Sequence, residues 1–367
     1  MRVVFSGGGT GGHIYPAVAI AKSVLNLCPD AEILFIGAER GMETTLIPKE
    51  GFPLETLRVV GLSRSNPLQA ARSLWWAGQG LLQARRIVRG FNPDVAVGTG
   101  GYASGPAIMA AAGLGVPTLI HEQNAYPGLT TRWLSRVASV VATSHQEAGA
   151  RLPKAKRIEV TGMPIRQEFY HTDRAEGRKR LGLPPDAKVV MSVGGSGGAL
   201  KLNQAVANCA QRLLQDPQLY LLQVAGERYF NMVSEWRETS NRADHRWQVI
   251  RFMYDMPHAL AAADLVISRA GASTMEEIAA CGVPAIFIPS PNVTDNHQEH
   301  NANALARQGA ALVIREQMLS ADNLAANIED ILGDKTRWNQ MAAASKAASH
   351  PGATLRLGQL VLALARG

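Results

Sequence analysis

Residues 1–15 read MRVVFSGGGTGGHIY, and this stretch decides the fold class of the chain. Arg2–Phe5 has the composition of a short buried strand, residues 7–13 form a glycine-rich loop, and a helical pattern opens at Ile14. A strand, a glycine loop and a helix start in this order let backbone amides and the helix dipole face an anionic ligand. His13 adds a side chain that can exchange a proton near neutral pH.

The loop alone leaves several interpretations open. Glycine is needed there because a Cβ would block the tight turn, and this holds equally for a dinucleotide-binding loop or for an ordinary strand-to-helix turn. His13 could be a catalytic base, or it could be a buried histidine that only orders the loop.

Length and composition limit the number of domains and the class of protein. A chain of 367 residues favours two domains, and 46% apolar with 18% charged residues is typical of a globular protein. The isolated cysteines Cys28, Cys209 and Cys281 indicate a reducing compartment rather than a disulfide framework or a zinc site. We expect no signal peptide, because the chain opens directly in a strand, and no membrane span, because no run of about 18 apolar residues occurs.

The net charge of +7 lies mostly in the first half, where residues 1–163 carry 16 Lys and Arg against 10 Asp and Glu. Between Thr56 and Pro93 there is no acidic residue, and arginines alternate with leucines and tryptophans. This pattern favours a surface that binds anionic lipid over one that binds nucleic acid, although an ordinary amphipathic helix remains the alternative. The residues assigned to this surface are Arg64, Arg72, Trp75, Trp76, Arg85, Arg86 and Arg89.

Short apolar runs alternate with helical patterns along both halves of the chain, which predicts doubly wound parallel sheets with ligands at the carboxyl ends of their strands. Gly162–Arg166 has the glycine and proline of a hinge, and a second strand, Lys188–Val193, then leads into another glycine loop. We therefore expect an α/β chain of two Rossmann-like domains, residues 1–163 and 164–349, with a cleft between them that holds two substrates.

In the second half, residues 268–278 read SRAGASTMEEI. Thr274 and Glu277 have the spacing of a capping box, which by itself would explain them structurally. The small residues before them would also leave a helix N-terminus open to a diphosphate, with Glu277 accepting hydroxyl protons from a sugar. Gln298 and Asn301, one helical turn apart, suit pairing with sugar hydroxyls.

No metal site is expected. His297 and His300 lack a third ligand at a matching spacing, and the chain contains no Asp-x-Asp motif that would bridge a metal to a diphosphate. The charge of a departing diphosphate would then be met by backbone amides, a helix dipole and Arg166.

Six motifs in one order resemble the MurG family of bacterial peptidoglycan glycosyltransferases: GGGTGGHIYPA, GTGGYASGP, HEQN, GGSGGALKLNQA, SRAGASTMEEIAACGVPAIFIP and TDNHQEHNA. The resemblance implies a GT-B fold with acceptor and membrane face in the first domain, UDP-sugar in the second, and a final helix, residues 350–367, packed back on the first. It implies a peripheral enzyme on the cytoplasmic face of the cell membrane. Such an enzyme transfers GlcNAc from UDP-GlcNAc to the C4 hydroxyl of MurNAc in lipid I, with inversion and no cofactor.

Chemistry and resemblance together assign roles to individual residues: inversion by direct displacement needs a base that deprotonates the incoming hydroxyl, and the resemblance implies the ligand contacts. His13 is the candidate base, with Glu122 as the alternative, and either could instead orient the acceptor. Donor or acceptor contacts are implied for Thr10, Gly11, Gly12, Asn124, Arg166, Ser196, Met253, Ala272, Ser273, Thr274, Met275, Glu276, Glu277 and Gln298.

Two other functions compete with this interpretation. A nicotinamide-dependent oxidoreductase would use the first glycine loop, but Gly37-Ala38-Glu39 after the second strand is a poor match to the expected ribose-binding acid. A soluble UDP-GlcNAc 2-epimerase would share the fold and the nucleotide sugar, and the basic tryptophan-containing surface is the feature that argues against it.

Overall fold

The computed structural model describes residues 1–59, 67–195, 197–239 and 244–367, and for residues 67–75, 77 and 294 only the backbone. The chain divides into two compact units. Unit 1 comprises Met1–Arg166 together with Gly352–Gly367, and unit 2 comprises Gln167–Pro351. Both chain crossings between the units therefore lie within a few residues of a glycine or a proline.

Within the described residues, unit 1 contains a seven-stranded sheet in the order β3-β2-β1-β4-β5-β6-β7, and every pairing in it is parallel. Its strands are β1 (Arg2–Gly7), β2 (Glu32–Ala38), β3 (Leu54–Leu57), β4 (Val95–Gly100), β5 (Thr118–Glu122), β6 (Val140–Thr143) and β7 (Ile158–Val160). Its first helices are α1 (Gly11–Leu27), α2 (Glu43–Lys49), α3 (Pro67–Phe91), α4 (Ser104–Gly113), α5 (Leu129–Leu134) and α6 (Gln146–Ala150).

Strand β1 shows why both faces of this sheet are covered. Side chains of a strand alternate between faces, so Val3 and Phe5 point one way and Val4 points the other. All three are fully buried. Val3 and Phe5 pack in the core that α1 supplies, whereas Val4 packs in a second core with residues of α3 and α4. A continuous apolar run of this kind is the pattern of a parallel strand between two helical layers.

Unit 2 repeats the design with a six-stranded parallel sheet, counted over the residues described, in the order β10-β9-β8-β11-β12-β13. Its strands are β8 (Lys188–Val193), β9 (Leu219–Val224), β10 (Trp247–Ile250), β11 (Leu265–Ser268), β12 (Ala285–Phe287) and β13 (Ala311–Val313). Its helices are α7 (Glu168–His171), α8 (Arg174–Arg180), α9 (Leu200–Leu213), α10 (Phe230–Thr239), α11 (Met256–Ala262), α12 (Ala272–Cys281), α13 (His297–Arg307), α14 (Ala321–Gly333) and α15 (Lys335–Ala347).

The last helix, α16 (Ala353–Arg366), belongs to unit 1. Leu357 and Val361 are fully buried in the same core as Val3 and Phe5. Close approach of α16 to α1 depends on Gly358, because a Cβ there would lie 2.5 Å from Oγ of Ser23. The C-terminal helix thus completes the core of the unit that the N-terminus begins.

The predicted pair of parallel sheets is confirmed, with local corrections. Helix α1 begins at Gly11 rather than at Ile14, because the carbonyl of Thr10 already accepts the N–H groups of His13 and Ile14. Strand β13 was missed because its three residues are too short to show a period, and the charged helix α8 was missed because it shows little apolar patterning.

A buried carboxylate, that of Glu276, organises the part of unit 2 next to the chain crossings. It is 7% exposed, and its Oε1 accepts hydrogen bonds from the Tyr170 hydroxyl at 3.0 Å and from the His350 N–H at 2.6 Å. Its Oε2 lies 3.0 Å from Nδ1 of His350. Helix α12 is therefore tied to α7 and to the segment that ends unit 2.

The pKa of His350 is raised, first by its hydrogen bond to Glu276 and then by that carboxylate's charge, while burial opposes the shift. Because the pKa is higher in the folded state, protonated His350 stabilises the fold. This stabilisation is complete below the unfolded-state pKa of about 6.5 and is lost as the pH rises through the folded-state pKa. We expect the melting-temperature difference between the wild type and His350→Ala to be largest near pH 6 and to shrink towards about pH 9. The exposed His171→Ala serves as control, and a difference that does not change with pH would contradict the assignment.

Candidate functional site

Apart from Arg166, the predicted site residues of unit 1 lie at the carboxyl ends of β1 and β5, and the glycine loop after β4, the strand between them, lies at the same edge of the sheet. Two glycine loops meet there by backbone contact. The N–H of Gly8 points to the carbonyl of Gly100 at 3.4 Å, and a Cβ on Gly101 would lie 2.2 Å from the Gly8 carbonyl oxygen. Only glycine allows this approach, and Gly101 also has a φ of +83°. The two loops therefore form one surface at the point where strand order reverses.

His13 is fixed by the second of these loops. Its Nδ1 lies 3.0 Å from the carbonyl oxygen of Thr99, and the Thr99 hydroxyl donates to the His13 carbonyl at 2.7 Å. Gly100 makes room for the ring, because a Cβ there would lie 2.7 Å from Nδ1. A carbonyl can only accept, so the neutral ring carries its proton on Nδ1 and its lone pair on Nε2. In this tautomer Nε2 is the nitrogen that can accept a proton.

Thr10, Gly11 and Gly12 lie beside His13 at the start of α1. Thr10 and Gly12 are exposed, and Thr10 forms the N-cap in an extended conformation without a side-chain cap hydrogen bond. These three residues and His13 therefore occupy four consecutive positions around one helix N-terminus.

Glu122, the alternative base, has a different environment. Its side chain is 2% exposed, and Oε1 accepts from the backbone N–H and the side-chain amide of Asn124 at 3.0 and 3.1 Å. Oε2 accepts from the Gly128 N–H at 3.0 Å. The carboxylate thus holds the loop that presents the half-buried Asn124. The preceding His121 is buried, which lowers its pKa to about 4, so its ring is neutral near pH 7.

Apart from Met253, which follows β10, the predicted site residues of unit 2 follow β8, β11 and β12, which are neighbours in the sheet. The loop after β8 contains Gly194, Gly195 and Gly198, while Ser196 lies outside the described residues. A Cβ on Gly198 would lie 2.2 Å from the Ala225 carbonyl oxygen, so this loop too meets its neighbour by backbone contact. The buried Asn203, which sequence reasoning missed, donates to the same Ala225 carbonyl at 2.9 Å.

The start of helix α12 is the second part of the candidate site in unit 2. The helix starts at Ala272 with Gly271 as N-cap and no side-chain cap hydrogen bond, so the predicted capping box of Thr274 and Glu277 is wrong. The three residues Ala272, Ser273 and Thr274 are half-buried, and Met275 is buried. Oγ of Ser273 is buried and has no hydrogen-bond partner among the described residues. The first turn therefore presents backbone amides and one hydroxyl beside the carboxyl end of β11.

The two glutamates of α12 point to different places. Glu276 turns into unit 2, where Tyr170 and His350 engage both of its oxygens. Glu277, one position later, is half-buried. Adjacent residues of a helix point about 100° apart, so only one of the pair faces inward. The sequence MEE does not distinguish the two glutamates. The packing of Tyr170 and His350 against α12 shows that Glu276 is the one that faces inward.

The remaining predicted residues surround this helix only in part. Gln298, in the first turn of α13, accepts the Ser290 N–H at 2.9 Å. Met253 is buried in the loop after β10, beside the exposed Phe252 and Tyr254 rings. Arg166 is the last residue of the first segment of unit 1 and so does not share a unit with them.

The basic surface is described from Trp76 onward. Arg85, Arg86 and Arg89 are exposed on α3 together with Leu82, and Trp76 is half-buried. Arg64 lies outside the described residues, and the side chains of Arg72 and Trp75 are likewise not described. Two apolar side chains that the sequence did not single out, Met109 of α4 and Trp133 of α5, are 44% and 58% exposed on the helices packed next in line.

Among the described helices, none combines the length and the apolar character needed to cross a bilayer. In the same part of the chain, no group of three or more His, Cys, Asp or Glu side chains is arranged to hold a metal ion.

Comparison with known proteins identifies the family. Residues 3–143 match the glycosyltransferase family 28 N-terminal domain, and residues 189–357 match the C-terminal domain of the same family. A protein of Caldanaerobacter subterraneus subsp. tengcongensis is 44% identical over 98% of this chain and 99% of its own length. It is named UDP-N-acetylglucosamine--N-acetylmuramyl-(pentapeptide) pyrophosphoryl-undecaprenol N-acetylglucosamine transferase.

Solved structures agree. MurG of Acinetobacter baumannii has a TM-score of 0.77 and 29% identity, with 99% of each chain covered. A UDP-GlcNAc 2-epimerase of Neisseria meningitidis has a TM-score of 0.72 at 12% identity over 99% of this chain and 100% of its own, and this likeness shows the fold alone. The predicted GT-B fold of two Rossmann-like domains is confirmed. The chain belongs to glycosyltransferase family 28, and within it to the MurG family of N-acetylglucosamine transferases.

Proposed function

We propose that this protein transfers GlcNAc from UDP-GlcNAc to the C4 hydroxyl of MurNAc in lipid I, the undecaprenyl-pyrophosphoryl MurNAc-pentapeptide, and so forms lipid II. The observation that carries the proposal is the 44% identity, over almost the whole chain, to a protein named for this transfer. The nicotinamide-dependent alternative is set aside, because the family is one of glycosyltransferases.

On the acceptor side, we assign the base to His13. Its Nδ1 faces the Thr99 carbonyl, so Nε2 is the nitrogen that can take a proton. As the C4 oxygen attacks the anomeric carbon from the face opposite UDP, its proton passes to Nε2. The new glycosidic bond forms while the bond from that carbon to the diphosphate breaks, and its electron pair leaves with UDP. One direct displacement of this kind inverts the anomeric centre.

Glu122 is assigned to positioning rather than to proton transfer. Both of its oxygens already accept hydrogen bonds from Asn124 and Gly128, and it is almost fully buried. We propose that it orients Asn124, whose amide then contacts the sugars. Thr10, Gly11 and Gly12 would line the same side of the site.

On the donor side, we propose that α12 meets the charge of the diphosphate through its N-terminal amides and dipole. The unpartnered hydroxyl of Ser273 supports this, because a phosphate oxygen would supply its missing partner. Glu277 would bind the ribose hydroxyls and Gln298 the GlcNAc hydroxyls. Met253 would hold uracil through its backbone, and Arg166 and Ser196 would complete the contacts to UDP.

We also propose that α3 and its neighbours rest on the anionic cytoplasmic face of the membrane, where the lipid acceptor is anchored. The exposed Arg85, Arg86 and Arg89 would contact lipid phosphates, while Leu82 and Trp133 would enter the interface. Arg64, Arg72, Trp75 and Trp76 remain part of this proposal.

The function is tested directly by incubating the purified protein with radiolabelled UDP-GlcNAc and a lipid I analogue. We expect a labelled lipid-linked disaccharide with a β linkage, in an amount equal to the UDP released. Omission of the lipid should leave the label in UDP-GlcNAc. Conversion of UDP-GlcNAc to its 2-epimer without lipid would instead support the epimerase, and a product with retained configuration would contradict the mechanism.

Two substitutions should separate the roles of the units. His13→Ala should lower kcat by about 10²-fold or more, because proton transfer is lost, while UDP affinity measured by calorimetry stays near that of the wild type. Glu277→Ala should raise the KM for UDP-GlcNAc more than it lowers kcat. Wild-type kcat in the first variant would remove His13 from the mechanism, and an unchanged KM in the second would remove Glu277 from the donor site.

The membrane proposal predicts sedimentation with vesicles that contain phosphatidylglycerol. Replacing Arg85, Arg86 and Arg89 together by Ala should weaken binding at least about tenfold, because each arginine contributes about 1 kcal/mol near an anionic surface. The triple variant Lys154→Ala, Lys156→Ala, Arg157→Ala removes the same charge from exposed positions elsewhere in unit 1 and serves as control. Equal binding of both variants would locate the surface elsewhere.

A further inference from the structure

Glu43, the first residue of α2, is a carboxylate with 0% exposure beside the first glycine loop. Three glycines make room for it. A Cβ would lie 2.3 Å from Oε1 if added at Gly8, 2.3 Å from Oε2 if added at Gly41, and 2.8 Å from Cγ if added at Gly37. Contacts this short do not occur for real Cβ atoms. The pocket is therefore shaped around this one side chain.

The two oxygens of this carboxylate join two elements. Oε1 accepts the N–H of Ala38, the last residue of β2, at 3.0 Å, and Oε2 accepts the N–H of Gly9 at 3.0 Å. Hydrogen bonds from backbone amides to an ionised carboxylate are stronger than those between neutral groups, and they offset the cost of burying the charge. Glu43 thereby fixes the glycine loop to the end of the neighbouring strand.

Gly9 lies on the short connection that leads from β1 to His13. Only Gly8, Gly9 and Thr10 connect β1 to α1, and His13 lies in the first turn of that helix. Gly9 has a φ of +83°, and on its other side the Tyr102 ring would approach an added Cβ at 3.1 Å. The Tyr102 hydroxyl donates to the Arg40 carbonyl at 2.9 Å, so the ring is itself held. Gly9 is thus enclosed between a carboxylate and an aromatic ring.

We propose that Glu43 is a positioning residue for the transfer step: through the Gly9 amide it holds the β1–α1 connection so that Nε2 of His13 is aimed at the acceptor hydroxyl. This rests on the proposed function. Glu43 does not touch the substrate, and its effect passes through the backbone. A displacement of about 1 Å at a reacting group can cost about 10²-fold in rate, so a small shift of this loop is sufficient to slow the reaction.

Glu43→Gln is the sharpest test, because it keeps the shape of the side chain and exchanges one acceptor oxygen for an NH₂ donor. That NH₂ must then face the N–H of either Gly9 or Ala38, and one hydrogen bond becomes a donor–donor contact. We expect kcat to fall at least about tenfold, with the KM for UDP-GlcNAc and the UDP dissociation constant unchanged, because the donor residues lie mainly in unit 2.

Hydrogen exchange followed by mass spectrometry gives a readout that does not depend on activity. The peptide covering residues 6–15 should exchange faster in Glu43→Gln than in the wild type, while peptides of unit 2 keep their rates. Glu50→Gln is the matched control, since Glu50 lies at the other end of α2 and pairs with Lys22 near the surface. It should match the wild type in both measurements.

The outcomes separate the two proposals. A wild type that does not transfer GlcNAc overturns the proposed function, and the exchange of residues 6–15 then still decides whether Glu43 holds the loop. Wild-type kcat or unchanged exchange in Glu43→Gln overturns the positioning role. If Glu43→Gln does not fold, Glu43→Ala, whose cavity admits water to both amides, is measured in its place. UDP binding shows whether a variant is folded. If neither variant binds UDP, Glu43 is needed for stability alone, and the proposal is overturned.

Discussion

The structure depends on backbone-to-backbone contact between neighbouring loops at the carboxyl ends of parallel strands. In unit 1, Gly101 approaches the carbonyl of Gly8, and in unit 2, Gly198 approaches the carbonyl of Ala225. A Cβ at either glycine would lie 2.2 Å from the neighbouring carbonyl oxygen, closer than real Cβ atoms come, and would force the loops apart. Because these loops also begin α1 and α9, their contact sets the place of the helix N-termini at each sheet's switch point. The same constraint shapes the candidate site residues of each unit.

Three buried glutamates fix further loops and chain segments by accepting hydrogen bonds from backbone N–H groups. Glu43, Glu122 and Glu276 are each less than a tenth exposed, and each accepts at least one backbone N–H: Glu43 and Glu276 from a distant segment, Glu122 from the loop that follows it. A backbone amide offers a fixed direction, whereas a lysine or arginine head can rotate away, so such pairs specify geometry as well as offsetting the cost of burial. Each lies close to a predicted ligand contact: Glu276 precedes Glu277, Glu122 lies two residues before Asn124, and Glu43 accepts the N–H of Gly9, the residue before Thr10.

The sequence predicted the architecture well because its signals are local. The run Lys188–Val193 matches β8 residue for residue, since an apolar strand that ends in glycines can be recognised without its neighbours. Strand β13 could not be recognised, because three residues at a sheet edge take their state from the pairing with β12. The start of α1 was placed three residues late because glycines 11 and 12 have low helix propensity, and the N-cap geometry of Thr10 overrides it.

The site was predicted as a set of motifs, but not as a set of contacts. His13 was identified from its place after the glycines, whereas its tautomer follows from Thr99, which is 86 residues away. Glu276 and Glu277 are adjacent and chemically identical, and only packing against Tyr170 and His350 shows which one turns inward. Glu43 carries no motif of its own in the sequence. Its role depends on Gly8, Gly37 and Gly41 coming together in space, which no spacing along the chain reveals.

The loop between β1 and α1 and the start of α12 are stabilised differently, and the ligands that we propose for them explain the difference. The hydroxyl that we propose as the attacking group is neutral, so it cannot hold this loop in place by charge, and in unit 1 the Glu43 carboxylate accepts the Gly9 N–H instead. The diphosphate donor that we propose for unit 2 brings its own negative charge. The first turn of α12 there has small residues and a Ser273 hydroxyl with no hydrogen-bond partner among the described residues, while Glu276 is turned away. We infer that an acceptor loop must be ordered before its substrate arrives, whereas a donor loop can be completed by the substrate.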